Sequence, residues 1–260
     1  MHDCQQVAEY IPGICHHMFG TEEDDLPSAS YMSKQIDVNE KMRGILVDWI
    51  IEVHLKFKLL PETLFLTVSL IDRYLEHTQI MRTKLQLVAV SAMLIASKYE
   101  EIYAPEVRDF VFITDNAYTR EEILQMEMSI LTTLQFSITT PSPYRFLQRF
   151  AKVAKADEQL WNLARYLIEL PLIEQRMLIY KPSLLAASAM FLANRIIKKD
   201  QGIWTEDLIA NTTYTESSLR SCAKDMCILI AGIEKCSLQT VRKKFSLTRY
   251  NQVATIKIEQ

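Results

Sequence analysis

Glycine and proline are scarce in this chain, with 5 and 8 residues among 260. Sheets draw on those residues for their turns, so a strand-rich fold is disfavoured and helices are expected. Basic residues are in no excess either. Lys and Arg number 29 against 32 Asp and Glu, a net charge of −3, which offers no electrostatic footprint for nucleic acid. No apolar run reaches the roughly 20 residues of a membrane span, and the first residues lack the basic-then-apolar order of a secretion signal. An intracellular, soluble protein is expected, with neither nucleic acid nor membrane as a partner. Five cysteines, Cys4, Cys15, Cys222, Cys227 and Cys236, form an odd set without CxxC spacing, as reduced thiols do. Cys15-His16-His17 is the one run with metal-ligand character, but three adjacent residues close poorly around a zinc ion. Also missing are a glycine-rich phosphate loop, a His-Glu-x-x-His helix and a nucleophile elbow. Acidic residues stand beside basic ones with no convergent acid and base. Neither cofactor nor catalysis is expected, and the function should be recognition.

What the chain does have is helical periodicity in a composition that is 49% hydrophobic. One short helix is expected over about residues 5–19, with Pro12 either harmless in its first turn or breaking it. The acidic loop Glu22-Glu23-Asp24-Asp25 follows. Met42, Ile45, Leu46, Trp49, Ile50 and Val53 then recur at three- and four-residue steps, one apolar stripe of a helix. A second helix is expected over about residues 62–76. The third, over about residues 83–99, is apolar nearly all round and should lie at the centre of a bundle. A short fourth begins near Pro105. The fifth spans about residues 119–134, where Thr119 and Glu122 fit a capping box.

The same order then repeats. Seven of the fifteen residues from Lys84 to Lys98 equal their counterparts from Lys181 to Arg195, 97 positions on. Tyr118-Thr119 recurs as Tyr214-Thr215, and Glu62 with Leu64 as Glu158 with Leu160, each 96 positions on. The expected fold is all-α, a tandem duplication of a five-helix bundle behind a short N-terminal helix. Its parts are an N-terminal helix and loop (1–40), a first bundle (41–136), a second bundle (137–240) and a C-terminal extension (241–260). Pro171 should end or kink the second helix of the second bundle near Leu170.

Several stretches resemble the cyclin family. Met42-Arg43-Gly44-Ile45-Leu46-Val47-Asp48-Trp49 is similar to the opening of the cyclin box, with Gly44 in place of the commoner alanine. Gly44 should soften the helix by roughly 1 kcal/mol. Leu85-Gln86-Leu87-Val88, Ala96-Ser97-Lys98-Tyr99-Glu100-Glu101 and residues 112–119 resemble A- and B-type cyclins, as does Tyr31-Met32-x-x-Gln35 ahead of the box. Tyr99, Asp115-Asn116 and Pro143-Tyr144-Arg145-Phe146-Leu147 favour the B type.

The resemblance implies a regulatory subunit, not an enzyme. It would bind and activate a cyclin-dependent protein kinase, recruit its substrates and control mitotic progression, in nucleus and cytoplasm. It also implies a kinase interface of Lys98 and Glu127 with Ile95, Leu131, Phe136 and Ile138, and with Tyr10 and Ile14 from the preceding helix. On the residues alone, Lys98 and Glu127 read more simply as a structural salt bridge. A docking groove for Arg-x-Leu motifs would comprise Met42, Ile45, Leu46 and Trp49, a rim of Glu52, Gln86 and Asp115, and Leu85 as floor. Read without the family, the α-helical stripe is just a core face. Arg43 and Asp72 would form a structural ion pair. Asp72 lies among apolar neighbours, where an unpaired charge is costly. No destruction-box tail precedes the box, so either the chain is a trimmed piece or turnover is signalled differently. Arg82-Thr83-Lys84-Leu85 fits an Arg-x-x-Leu pattern, but at a helix start. The alternative is a transcription-type cyclin-box protein, which a gel shift would separate.

Overall fold

The computed structural model describes residues 8–198 and 202–256, and among these there is no strand. Cys4 and the first residues of the expected N-terminal helix lie outside them. Helix α1 runs Ile11–Thr21 behind a 3-10 turn at Ala8–Tyr10. Pro12 stands in its first turn, where the missing N–H breaks no hydrogen bond.

The first bundle follows as α2 (Glu40–Phe57), α3 (Pro61–His77), α4 (Leu85–Glu100), α5 (Val107–Ile113) and α6 (Arg120–Thr133). Local chemistry sets their starts. Asn39 caps α2 by accepting from the Met42 N–H at 3.0 Å, and Pro61 opens α3 at a position that needs no donor. Thr119 and Glu122 form the expected capping box of α6. A second capping box, Glu106 with Asp109, opens α5 two residues after Pro105. Arg82–Lys84 is a 3-10 turn, so α4 starts at Leu85 rather than near residue 83, and the Arg-x-x-Leu run is locked into a helix entry with Leu85 buried.

The second bundle repeats the order in α7 (Pro143–Val153), α8 (Glu158–Glu169), α9 (Pro182–Lys198), α10 (Glu206–Thr212) and α11 (Glu216–Gly232). Helix α8 stops at Glu169 and gives way to a 3-10 turn containing Pro171. A last helix, α12 (Thr240–Phe245), belongs to neither copy.

Each bundle is built around its third helix. Helix α4 packs on α3 and α6, and α9 packs on α7, α8 and α11. Small residues on both central helices (Ala89, Ala92 and Ala96; Ala186, Ala189 and Ala193) let neighbouring axes approach closely. The two cores are continuous, with the Phe65 ring of α3 stacked on Tyr144 of α7 at 6.0 Å.

Gly44 has a packing role that its sequence position did not reveal. A Cβ there would lie 3.1 Å from the Ile173 carbonyl oxygen and 3.2 Å from Leu238 Cδ1. The lost side chain lets α2 lie directly against the second bundle and the approach to α12. One turn on, Asp48 accepts from the Thr240 N–H at 3.0 Å and hydroxyl at 2.8 Å.

Candidate functional site

The first group of singled-out residues is buried. Arg43 on α2 and Asp72 on α3 are each 1% exposed, and the guanidinium grips the carboxylate through Nε at 2.6 Å and Nη2 at 2.7 Å. Two partners complete the cluster. The Tyr31 hydroxyl donates to Asp72 at 2.8 Å, and Arg43 Nη1 donates to the Leu172 carbonyl of the second bundle at 2.9 Å. Burial alone would lower the Arg43 pKa, but the Asp72 charge and hydrogen bonds hold it above its usual value. Burial, reinforced by that same carboxylate, also pushes the Tyr31 phenol up. Arg73, the next residue along α3, is buried too. Gln35, from the same pre-bundle stretch as Tyr31, bonds the carbonyls of Leu75 and Thr78, at 2.6 and 2.7 Å, and closes the end of α3.

The second group lies at the C-terminal end of α4. Lys98 contacts Glu127 of α6, with side chains 52% and 11% exposed respectively. Glu127 Oε1, the oxygen that meets the ammonium, is buried and has no other hydrogen-bond partner among the described residues. A half-desolvated carboxylate beneath an accessible ammonium can both accept from and donate to another chain's backbone. Around it, Phe136 is 63% exposed, Leu131 and Ile138 are half-buried, and Met128 is exposed. Phe136 follows Gln135 in the left-handed region, φ 59° and 51°, a turn that ends α6 and projects the ring outward. Ile95 must be corrected. It is 3% exposed, inside the core one turn before Lys98, and can support this surface but not line it. Tyr10, at the N-cap of α1, and Ile14 within it are exposed, and Ile14 borders the same cavity as Tyr99 and Thr139. That cavity, about 480 Å³, separates α1 from the two bundles. Within it Arg145 loosely bridges Glu62 and Glu100, at 3.7 and 3.9 Å, and burial raises the Glu100 carboxyl pKa.

The third group sits on the outer face of α2 and the start of α4. Ile45 is half exposed, Met42 and Trp49 are partly exposed, and Glu52 is exposed. Leu46 and Leu85 are buried beneath them, so they form a floor rather than contact points. Gln86 is partly exposed, and Asp115 is exposed in the turn after α5. Asp115 and Asn116 both have φ near +55°, which short polar side chains tolerate, and the turn aims them away from the core. The stripe read as one buried face is thus split. Ile50 and Val53 are core, while Met42, Ile45 and Trp49 retain free surface.

Sequence reasoning missed Glu22, buried against Ser183 of α9, and the Glu169–Lys244 pair, whose ammonium and carboxylate are 2.5 Å apart. No cluster of three or more potential metal ligands occurs among the described residues, and no helix there is long and apolar enough to cross a membrane.

Residues 13–139 match the family description "Cyclin, N-terminal domain", and residues 141–259 match "Cyclin, C-terminal domain". Cyclin-B1-5 of Oryza sativa subsp. japonica is 46% identical over 248 residues, 95% of this chain and 55% of the relative. The G2/mitotic-specific cyclin-B of Dictyostelium discoideum is 41% identical over 99% of this chain and 59% of its own length. That of Hydra vulgaris is 43% identical over 96% and 68%. The chain thus spans little more than half the length of the first two relatives. Among solved structures, a viral cyclin from herpesvirus saimiri superposes with a TM-score of 0.72 at 22% identity, covering 83% of this chain and 97% of that one. A chain of the CAK complex of Chaetomium thermophilum bound to ATP-gamma-S gives 0.58 at 17% identity, over 93% and 84%. Both share the fold. The chain belongs to the cyclin family, and the three curated relatives named here are B-type cyclins.

Proposed function

We propose that this chain is a regulatory subunit, without catalysis of its own, that binds and activates a cyclin-dependent protein kinase and so controls mitotic progression. It would work in nucleus and cytoplasm. The observation that carries the reading is the Lys98–Glu127 pair, accessible at one end and ringed by exposed or half-buried Phe136, Leu131 and Ile138. A purely structural pair gains nothing from such surroundings, whereas a docking surface needs an apolar centre around fixed polar groups. Activation follows if the kinase's active conformation fits this surface better than the inactive one, a shift of populations. The exposed part of the α2 face, Met42, Ile45 and Trp49 with Glu52 and Asp115 at its rim, supports a groove for Arg-x-Leu substrates or inhibitors. Its apolar residues suit the leucine and its carboxylates the arginine. The net charge of −3 and the mitotic names of the relatives speak against the transcription-type alternative.

The test is capture of a kinase from cell extract, read as phosphorylation of a peptide. Lys98→Glu and Glu127→Lys should each cost several kcal/mol of kinase affinity. Trp49→Ala should weaken phosphorylation of Arg-x-Leu substrates alone. Undiminished affinity in both charge reversals would overturn the kinase interface.

A further inference from the structure

Residues 19–35 pass along the seam between the two bundles and are fastened alternately to each. Phe19 stacks on Phe146 of the second bundle at 5.0 Å. Glu22 is buried at the start of α9, where it accepts from the Ser183 N–H at 2.9 Å and hydroxyl at 2.7 Å. It caps that helix from 161 residues away. Burial raises its pKa despite those bonds and the nearby Lys181. Glu23 contacts Lys181, also of the second bundle. Asp25 turns the other way. It accepts from Arg73 of α3 at 2.6 Å and, through its other oxygen, from the Ser137 hydroxyl of the inter-bundle linker at 2.8 Å.

We infer that Glu22 and Asp25 are positioning residues: a two-point latch that fixes the α1 helix, and with it Tyr10 and Ile14, relative to the Lys98–Glu127 surface. This rests on the kinase-binding reading given above. Helix α1 has no fully buried residue, and besides the latch it meets the core through the partly buried Met18 and Phe19. The second bundle then contributes to kinase binding without touching the kinase, by holding a helix that does. Asp25 contributes to the same end from the first bundle. A carboxylate taking two bonds within a buried helix start is a stiff anchor, because releasing it strands the Ser183 N–H, while the Ser183 hydroxyl keeps only Tyr214 at 2.7 Å.

The experiment is a double-mutant cycle on the full chain with the kinase that co-purifies with it. Glu22→Ala should weaken binding by about tenfold. Once Tyr10 and Ile14 are both alanine, the same change should have almost no effect. Glu22→Ala and Lys98→Glu should instead multiply. If Glu22→Ala multiplies fully with the Tyr10 and Ile14 changes, the latch does not act through α1 and the inference falls. Should Glu22→Ala fail to fold, Ser183→Ala removes one of the two bonds from the other side and must show the same pattern. A wild-type chain that captures no kinase would sink the functional reading and leave the latch to a second readout. Amide hydrogen exchange across α1 in the free chain should speed up in Ser183→Ala and Asp25→Ala while α4 stays protected. Unchanged exchange in both variants overturns the latch on its own.

Discussion

Two ion pairs among the described residues are buried at both partners, one within the first bundle and one between α8 and α12, and the two are built differently. In the first, Arg43 and Asp72 meet fork to fork, and Tyr31 and the Leu172 carbonyl take up further hydrogen-bonding groups. In the second, Lys244 of α12 meets Glu169 at the end of α8 through one 2.5 Å contact, and Glu169 Oε1 has no partner among the described residues. Both pairs are 1% exposed or less. A planar guanidinium can satisfy both oxygens of a carboxylate at once, whereas an ammonium acts as a point charge. Burying charge is costly in either case, and only a fully bonded arrangement recovers the cost. The first pair therefore holds four segments in one geometry, while the second mostly neutralises itself beside Phe245 and Tyr250.

The sharpest way to break this comparison is to remove one charge from the first pair. Asp72→Ala should cost about 3–5 kcal/mol of stability in denaturant unfolding, because it strands Arg43 in the core. A loss under about 1 kcal/mol would put the pair in the class of exposed bridges.

Acid should weaken the seam next. His54 of α2 is buried, its Nε2 3.0 Å from the Leu60 carbonyl. Burial first, then the positive charges of Lys244 and Arg165, push its pKa down to about 3. An unfolded histidine titrates near 6.5, so between about pH 6.5 and 3 the unfolded state binds a proton that the fold refuses. Stability is thus full above that window and declines as pH falls. Unfolding free energy should drop by about 2 kcal/mol from pH 7 to pH 5 through this group. His54→Gln should remove that part of the slope.

Gly44→Ala separates packing from helix propensity. Propensity alone predicts a gain of roughly 1 kcal/mol. The contacts at 3.1 and 3.2 Å predict instead a net loss of about 1–3 kcal/mol. A more stable variant would mean that α2 can retreat from Ile173.

The smallest effect is expected in the second bundle. Replacing both partners, Glu169→Leu with Lys244→Met, should change stability by about 1 kcal/mol or less, or raise it. The matching double replacement, Arg43→Met with Asp72→Leu, should cost clearly more, since it strands the Tyr31 hydroxyl. Equal costs would erase the distinction drawn between the pairs.

Much of this molecule was legible in its residues. Three- and four-residue spacing placed the helices of the first bundle to within a few positions, because an amphipathic helix must show its period wherever one face is buried. The duplication was legible because both copies bury the same helix, and burial keeps small residues such as Ala89 and Ala186 in register. Asp72 announced its need for a partner by lying in an apolar run. Ile95 misled, since one turn of helix separates a core position from the exposed Lys98 and the apolar pattern marks no such edge.

Local spacing and the duplicated pattern thus determined helix type, order and the two-bundle plan, for these depend on neighbours within a few residues. The contacts that join the parts were decided only by the tertiary structure. Glu22 meets Ser183 across 161 residues, Asp48 meets Thr240 across 192, and Glu169 meets Lys244 across 75. A polar side chain pairs with whatever the fold brings within about 3 Å, and no periodicity in the sequence records that distance.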